Sequence, residues 1–127
     1  MSITPYCSIT EWCVKQGYDD FTAYSAEHTD YPTEDALTEM LEEATQMMND
    51  EIGIKSETTN ITDAAYTKVL RNLCYRMVNL MIDEEQGRAH EQRRSQYTPR
   101  DYMFERDRRR LQKIGVVKGY RVVGQIG

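Results

Sequence analysis

Hydrophobic residues recur at helical spacing along most of this chain. The clearest stretch carries Ala36, Leu37, Met40, Leu41, Ala44, Met47, Met48 and Ile52, the i, i+3/4, i+7/8 pattern of an amphipathic helix. Glu39, Glu42, Glu43, Gln46 and Asp50 form its opposite face. Thr33 precedes Glu34 and Asp35, a hydroxyl cap followed by two acids that suit the positive end of the helix dipole. Gly53 supplies the stop.

Upstream, Ser8 and Glu11 make a capping box for a short helix with Ile9, Trp12, Cys13 and Gln16 on one face, ended by Gly17. Residues 18–32 are polar and aromatic without sustained period and read as a loop with at most a helical turn near 20–24. Downstream, Thr62 and Asp63 open a third helix whose wide stripe runs through Ala65, Tyr66, Val69, Leu70, Leu73, Cys74, Met77, Val78, Leu80 and Met81. This breadth predicts a central element packed on Leu37, Leu41, Ala44 and Met48. After Ile82 the pattern turns wholly polar, either continuing as an exposed helix or breaking near Gly87. Thr98 and Pro99 restart a helix over residues 99–113 with a thin apolar face of Tyr102, Met103, Leu111 and Ile114, and Gly115 reads as its end.

The last twelve residues change character. Val116, Val117, Val122, Val123 and Ile126 favour extended backbone, and Gly115, Gly119 and Gly124 supply joints. Fully extended, the segment spans roughly 40 Å. Two readings stand: a small hairpin turning at Lys118 and Gly119, or an arm that adds to a sheet edge of another protein. The expected architecture is an all-α bundle of about four helices, with a helical body over residues 1–115 and an extended C-terminal docking arm over 116–127.

The length, 127 residues, suits one domain. Hydrophobic residues make up 39%, which points to a thin core or one completed by partners. Nine of the twelve aromatic residues are Tyr, a residue suited to half-buried interfaces. No run approaches the length of a membrane span. The opening MSITPYCSITEW does not read as a secretory signal. Cys7, Cys13 and Cys74 are an odd set without framework spacing, which predicts reduced thiols made in a reducing cytoplasm.

The net charge of −5 conceals a polarity. Residues 1–52 hold Lys15 against twelve acids, a net of −11, and the remainder nets +6. Either the halves neutralise each other within one copy, or the acidic half of one copy meets the basic half of the next. The second reading pairs Glu39, Glu42 and Glu43 with Arg106, Arg108, Arg109 and Arg110 of a neighbour.

The run Arg106 to Arg110 also resembles a phosphate-binding patch. However, Glu105 and Asp107 interleave with it, and on a helix its side chains splay around the axis. His28, His90 and the cysteines lack metal-ligand spacing. No glycine-rich phosphate loop, GxSxG or HExxH occurs. Neither catalysis nor a cofactor is expected.

A short capped helix, the acidic helix within PTEDALTEMLEEATQMMNDEIG, the long helix opening ITDAAYTKVLRNLCYRMVNLMI, a basic helix and an extended tail follow one another. In this order the chain resembles the head–tail connector proteins of tailed phages and related viruses, also called head-completion or adaptor proteins. The resemblance covers about residues 6–115 and includes a small residue, Ala44, midway along 35–53 and the run 70–81. The polar stretch 83–96 and the loop 18–32 depart from the family's pattern, so ring geometry and the channel lining transfer least.

The resemblance implies a structural virion protein at the head–tail interface. Copies would form a ring, typically of twelve, beneath the portal. The ring would extend the DNA channel without sequence-specific DNA binding and would present a face to a tail-proximal stopper or tail protein. The arm would reach the portal through Val116, Val117, Tyr120, Val122, Val123 and Ile126. The alternative is a small DNA-binding or packaging accessory protein using the basic C-terminal helix.

Overall fold

A computed structural model describes residues 3–55, 59–91 and 103–122, with the backbone alone for 86–91. The described residues are all helical in their regular structure: α1 Ile9–Lys15, α2 Phe21–Glu27, α3 Glu34–Ile52, α4 Ala64–Glu91 and α5 Glu105–Val117. The all-α bundle expected from the periodicity is present, with five helices instead of about four.

Local chemistry sets most boundaries. The Ser8 hydroxyl accepts from the Glu11 N–H at 3.1 Å, and the Glu11 carboxylate accepts from the Ser8 N–H at 2.9 Å. Thr33 Oγ1 accepts from Ala36 N–H at 3.1 Å. At the far end of α3, Gly53 takes φ 101°, and Ile54 N–H reaches back to Asn49 O at 2.9 Å, as in a Schellman stop. α4 begins at Ala64, one residue later than a Thr62 cap implies. The Asp63 carbonyl receives both the Tyr66 N–H and the Thr67 hydroxyl. α4 then runs past Gly87 to Glu91, about 42 Å.

α3, α4 and α5 form the bundle. Leu37, Leu41, Ala44 and Met48 are fully buried, and so are Leu73, Met77 and Met81, with Val69 at the margin. α3 and α4 run antiparallel, since Thr45 meets Cys74 while Met40 lies near Met81. α5 adds Leu111 and Ile114 and packs most closely on α3.

α2 lies where a loop was expected. Asp20 caps it, accepting from Ala23 N–H at 2.9 Å. Its reason is tertiary: Tyr24 packs edge-on against Trp12 at 5.1 Å and lies parallel to His28 at 4.2 Å. Trp12 in turn donates Nε1–H to Asn79 Oδ1 on α4 at 3.1 Å. A polar network joins the N-terminal segment to α3 and the connector. Tyr6 donates its hydroxyl to Asn49 Oδ1 at 2.6 Å and accepts from Ile61 N–H, and Asn49 Nδ2 donates to Asn60 Oδ1 at 2.9 Å.

The C-terminal part departs from expectation at both ends. Thr98, Pro99 and Tyr102 lie outside the described residues, but Met103 and Phe104 are not helical and α5 starts at Glu105. Gly115 does not end the helix. It sits inside α5 because a Cβ there would collide with the Ile52 carbonyl oxygen, so glycine permits close approach to the end of α3. The stop is Gly119, at φ 86°, with Tyr120 N–H bonded to Gly115 O at 2.7 Å and Gly119 N–H to Val116 O at 3.1 Å.

Val116 and Val117 therefore belong to the helix. The next residues fold back: Lys118 Nζ meets Asp63 Oδ2 at 2.7 Å, and Arg121 Nη1 donates to Glu51 O at 3.0 Å. The boundary at 115/116 is thus too early by several residues, because tertiary anchors hold the chain as far as Arg121.

Leu73→Ala should cost about 2–5 kcal/mol in urea unfolding, as a buried large-to-small change; a loss under about 1 kcal/mol would put Leu73 outside the core. Gly115→Ala should cost about 1–3 kcal/mol by overpacking. Removing residues 116–127 should lower the melting temperature, because it takes away the Lys118 and Arg121 anchors; an unchanged melting temperature would mean that these anchors do not hold the chain.

Candidate assembly surfaces

The interleaved charges of α5 sort themselves by face. Asp107 is buried and accepts from Arg76 Nη2 through both carboxylate oxygens at 3.1 Å. Glu105 takes Arg108 Nη2 at 2.6 Å and Arg109 Nε at 2.9 Å. These hydrogen bonds, Arg108's first, pull the Glu105 carboxyl down to about 2. Only 12% of the Arg108 side chain is exposed. Arg106 is exposed, 3.9 Å from Asp107 and over the Phe104 ring. Arg110 and Lys113 are exposed and make no ion pair among the described residues.

Of the residues expected to make contacts between copies, Arg106, Arg109 and Arg110 thus face outward, while the Arg108 side chain is largely buried and tied to Glu105. On α3, Glu39 and Glu43 are exposed and Glu42 is half-buried.

Two surface grooves carry opposite charge. One, of about 310 Å³, lies between α4 and α5 over Tyr66, Val69 and Ile114, with Arg110, Lys113 and Val117 along its α5 edge. The other, of about 300 Å³, lies between α3 and α4; Ala36, Met40 and Met81 form its floor, and Glu39, Glu43 and Glu85 edge it. A third, of about 380 Å³, is aromatic and polar, with Tyr24, His28, Tyr31, Tyr75 and Asp83 among its lining.

The arm residues are divided. Val116 is half-buried within α5. Val117, Tyr120 and Val122 are 70%, 40% and 63% exposed, large apolar side chains in succession on the outside of the anchored turn. Val123 and Ile126 lie outside the described residues.

No family model, curated protein or solved structure matches this chain. Its chemistry must be read from its own residues. All three cysteines are free and buried. Burial pushes the Cys7 thiol up to about 12 and the Cys74 thiol to about 11, and raises Cys13 as well. None of these thiols is a nucleophile near neutral pH. No described helix is long and apolar enough to cross a membrane.

Pattern reading missed Lys113 and Arg121 as site residues. Lys113 stands three residues after Arg110, so helical spacing alone aligns them. Arg121 carried no signal, because its role is a contact with the Glu51 carbonyl seventy residues away.

The Glu105 carboxyl should titrate near pH 2 by NMR. Its folded pKa lies below the ordinary 4.5, so the tie to Arg108 and Arg109 is complete above that ordinary value and is lost as pH falls toward 2. Replacing both arginines with Ala should return the midpoint to the ordinary carboxylate range. A midpoint already there in the parent protein would mean that both arginines face solvent.

Proposed function

We propose that this protein is a structural component of a virion, a head–tail adaptor that forms a ring beneath the portal, extends the DNA channel and connects capsid to tail. It catalyses nothing and needs no cofactor. The observation that carries this reading is the C-terminal end of the bundle. The turn at 118–121 is anchored by Lys118 and Arg121, while Tyr120 and Val122 stand exposed beside it. A rigid base with an exposed apolar edge suits docking on another protein. The order of elements, which resembles the connector family, supports the same role, and the portal is the partner that the resemblance implies. Separation of acidic and basic grooves supports self-association in a ring.

The DNA-binding alternative has less support. Two of the arginines in its run are engaged by Glu105 and a third lies beside Asp107, which leaves little free positive charge for phosphates.

Binding to the portal protein of the same virus, followed by sedimentation, tests the proposal. The chain should co-sediment with assembled portal. The Y120S/V122S variant should keep its helicity and melting temperature but lose at least tenfold in portal affinity. Failure of the parent chain to bind portal, together with tight binding to random duplex DNA that falls about 10³-fold or more between about 50 and 200 mM salt, would replace the adaptor reading with the packaging one.

A further inference from the structure

The two charged grooves occupy opposite ends of α4. The basic one takes residues 65, 66 and 69 of that helix, the acidic one residues 81 and 85. Sixteen residues separate their centres, about 24 Å along the axis and about 160° around it at 1.5 Å and 100° per residue. The two surfaces therefore cannot meet within one copy. Two copies related by a two-fold axis cannot readily satisfy both contacts either, because each copy would have to present opposite ends and opposite sides to the same partner.

Their shapes and charges are matched. Arg110, Lys113 and Val117 fall at i, i+3 and i+7 and form one outward ridge on α5. Its apolar knob is Val117, 70% exposed. The acidic groove is a furrow between two helices with a flexible thioether floor, Met40 and Met81, and with Glu39 and Glu43 one turn apart on its lip. A helix ridge entering an interhelical furrow is a common packing mode, and methionine adapts its shape to an incoming side chain. Arg110 and Lys113 rise about 4.5 Å apart, and Glu39 and Glu43 about 6 Å apart, so each cation can face its own acid. No ion pair among the described residues uses any of these four charges.

We propose that the α5 ridge of one copy, Arg110, Lys113 and Val117, seats in the Met40–Met81 furrow of a second copy, with Glu39 and Glu43 receiving its charges. Every copy then keeps one ridge and one furrow open, so the contact is head to tail and propagates until it closes into a ring. The assignment deepens the ring part of the function proposed above and rests on that reading only for the existence of self-association.

Charge exchange between the two surfaces is the test. The E39R/E43R variant has two basic surfaces, and the R110E/K113E variant has two acidic ones. Both changes lie on exposed positions, and circular dichroism with thermal melting checks that each variant folds. Native mass spectrometry at low salt should find the parent chain in closed oligomers. Each variant alone should associate at least tenfold more weakly. An equal mixture of the two should recover oligomers in which both kinds alternate one to one, because each basic furrow can now receive an acidic ridge and the reverse. V117S should weaken assembly with charge unchanged.

Assembly of either variant alone at parental strength, or a mixture that fails to recover it, overturns the assignment, as does a parent chain that stays monomeric. The outcomes separate this inference from the adaptor reading. Parental self-assembly and parental portal binding by both variants leave the adaptor standing and remove this contact, whereas charge-dependent rings that ignore portal keep the contact and remove the adaptor.

Discussion

The bundle depends on the close approach of α5 to the end of α3. Gly115 lets the α5 backbone lie against the Ile52 carbonyl, and no side chain larger than hydrogen fits there. The approach is then held from both sides. Gln112 Nε2 donates to Glu51 Oε1 at 2.8 Å, and Arg121 donates to the Glu51 carbonyl. That carbonyl lies in the last turn of α3, where carbonyls lack helical partners and the dipole end is negative, so a guanidinium serves it twice. With α5 seated, Leu111 and Ile114 close the core over α3, and Asp107 arrives at Arg76. Asp107 is a buried carboxylate, and a buried charge is tolerated only with its partner in place, so this pair fixes the alignment of α5 along α4.

The same placement decides what faces outward. Pairings of Asp107, Glu105 and Asp63 with Arg76, Arg108, Arg109 and Lys118 are spent inside the copy. They draw on the basic half and barely touch the acidic one. Among the described residues, Glu11 pairs with Arg71 across the two halves at 3.3 Å. Self-neutralisation among the described residues is therefore partial, and Glu39 and Glu43 on one surface and Arg110 and Lys113 on another make no ion pair there. Exposed pairs of this kind contribute little one by one. In the proposed assembly their value would be to select register and partner over the apolar contact of Val117 with Met40 and Met81.

What could be read in the sequence was what is local. The capping box of Ser8 and Glu11, the Thr33 cap, the Gly53 stop and the stripe from Leu37 to Met48 all follow from neighbours within one or two turns, and all are present. α2 was missed because residues 21–27 have no apolar stripe; the packing of Tyr24 on Trp12 stabilises it. Gly115 was misread as a stop because its role is to let another helix approach, which no local pattern encodes. The network of Tyr6, Asn49 and Ile61 joins residues 43 and 55 positions apart and leaves no periodic trace. At the candidate surfaces the charge polarity was legible, and the identity of the outward cations was not. Arg108 and Arg110 look alike in the run, and only the tertiary packing that leaves 12% of the Arg108 side chain exposed tells them apart.

In the proposed assembly, a finished bundle carries oppositely charged surfaces that copies complete for one another. Native mass spectrometry of the unmodified full chain across a salt series tests it most directly. The account expects closed oligomers at about 50 mM salt that dissociate toward folded monomer by about 500 mM, as screening weakens exposed charges. A chain that is monomeric at every salt concentration, or oligomers indifferent to salt, would contradict it.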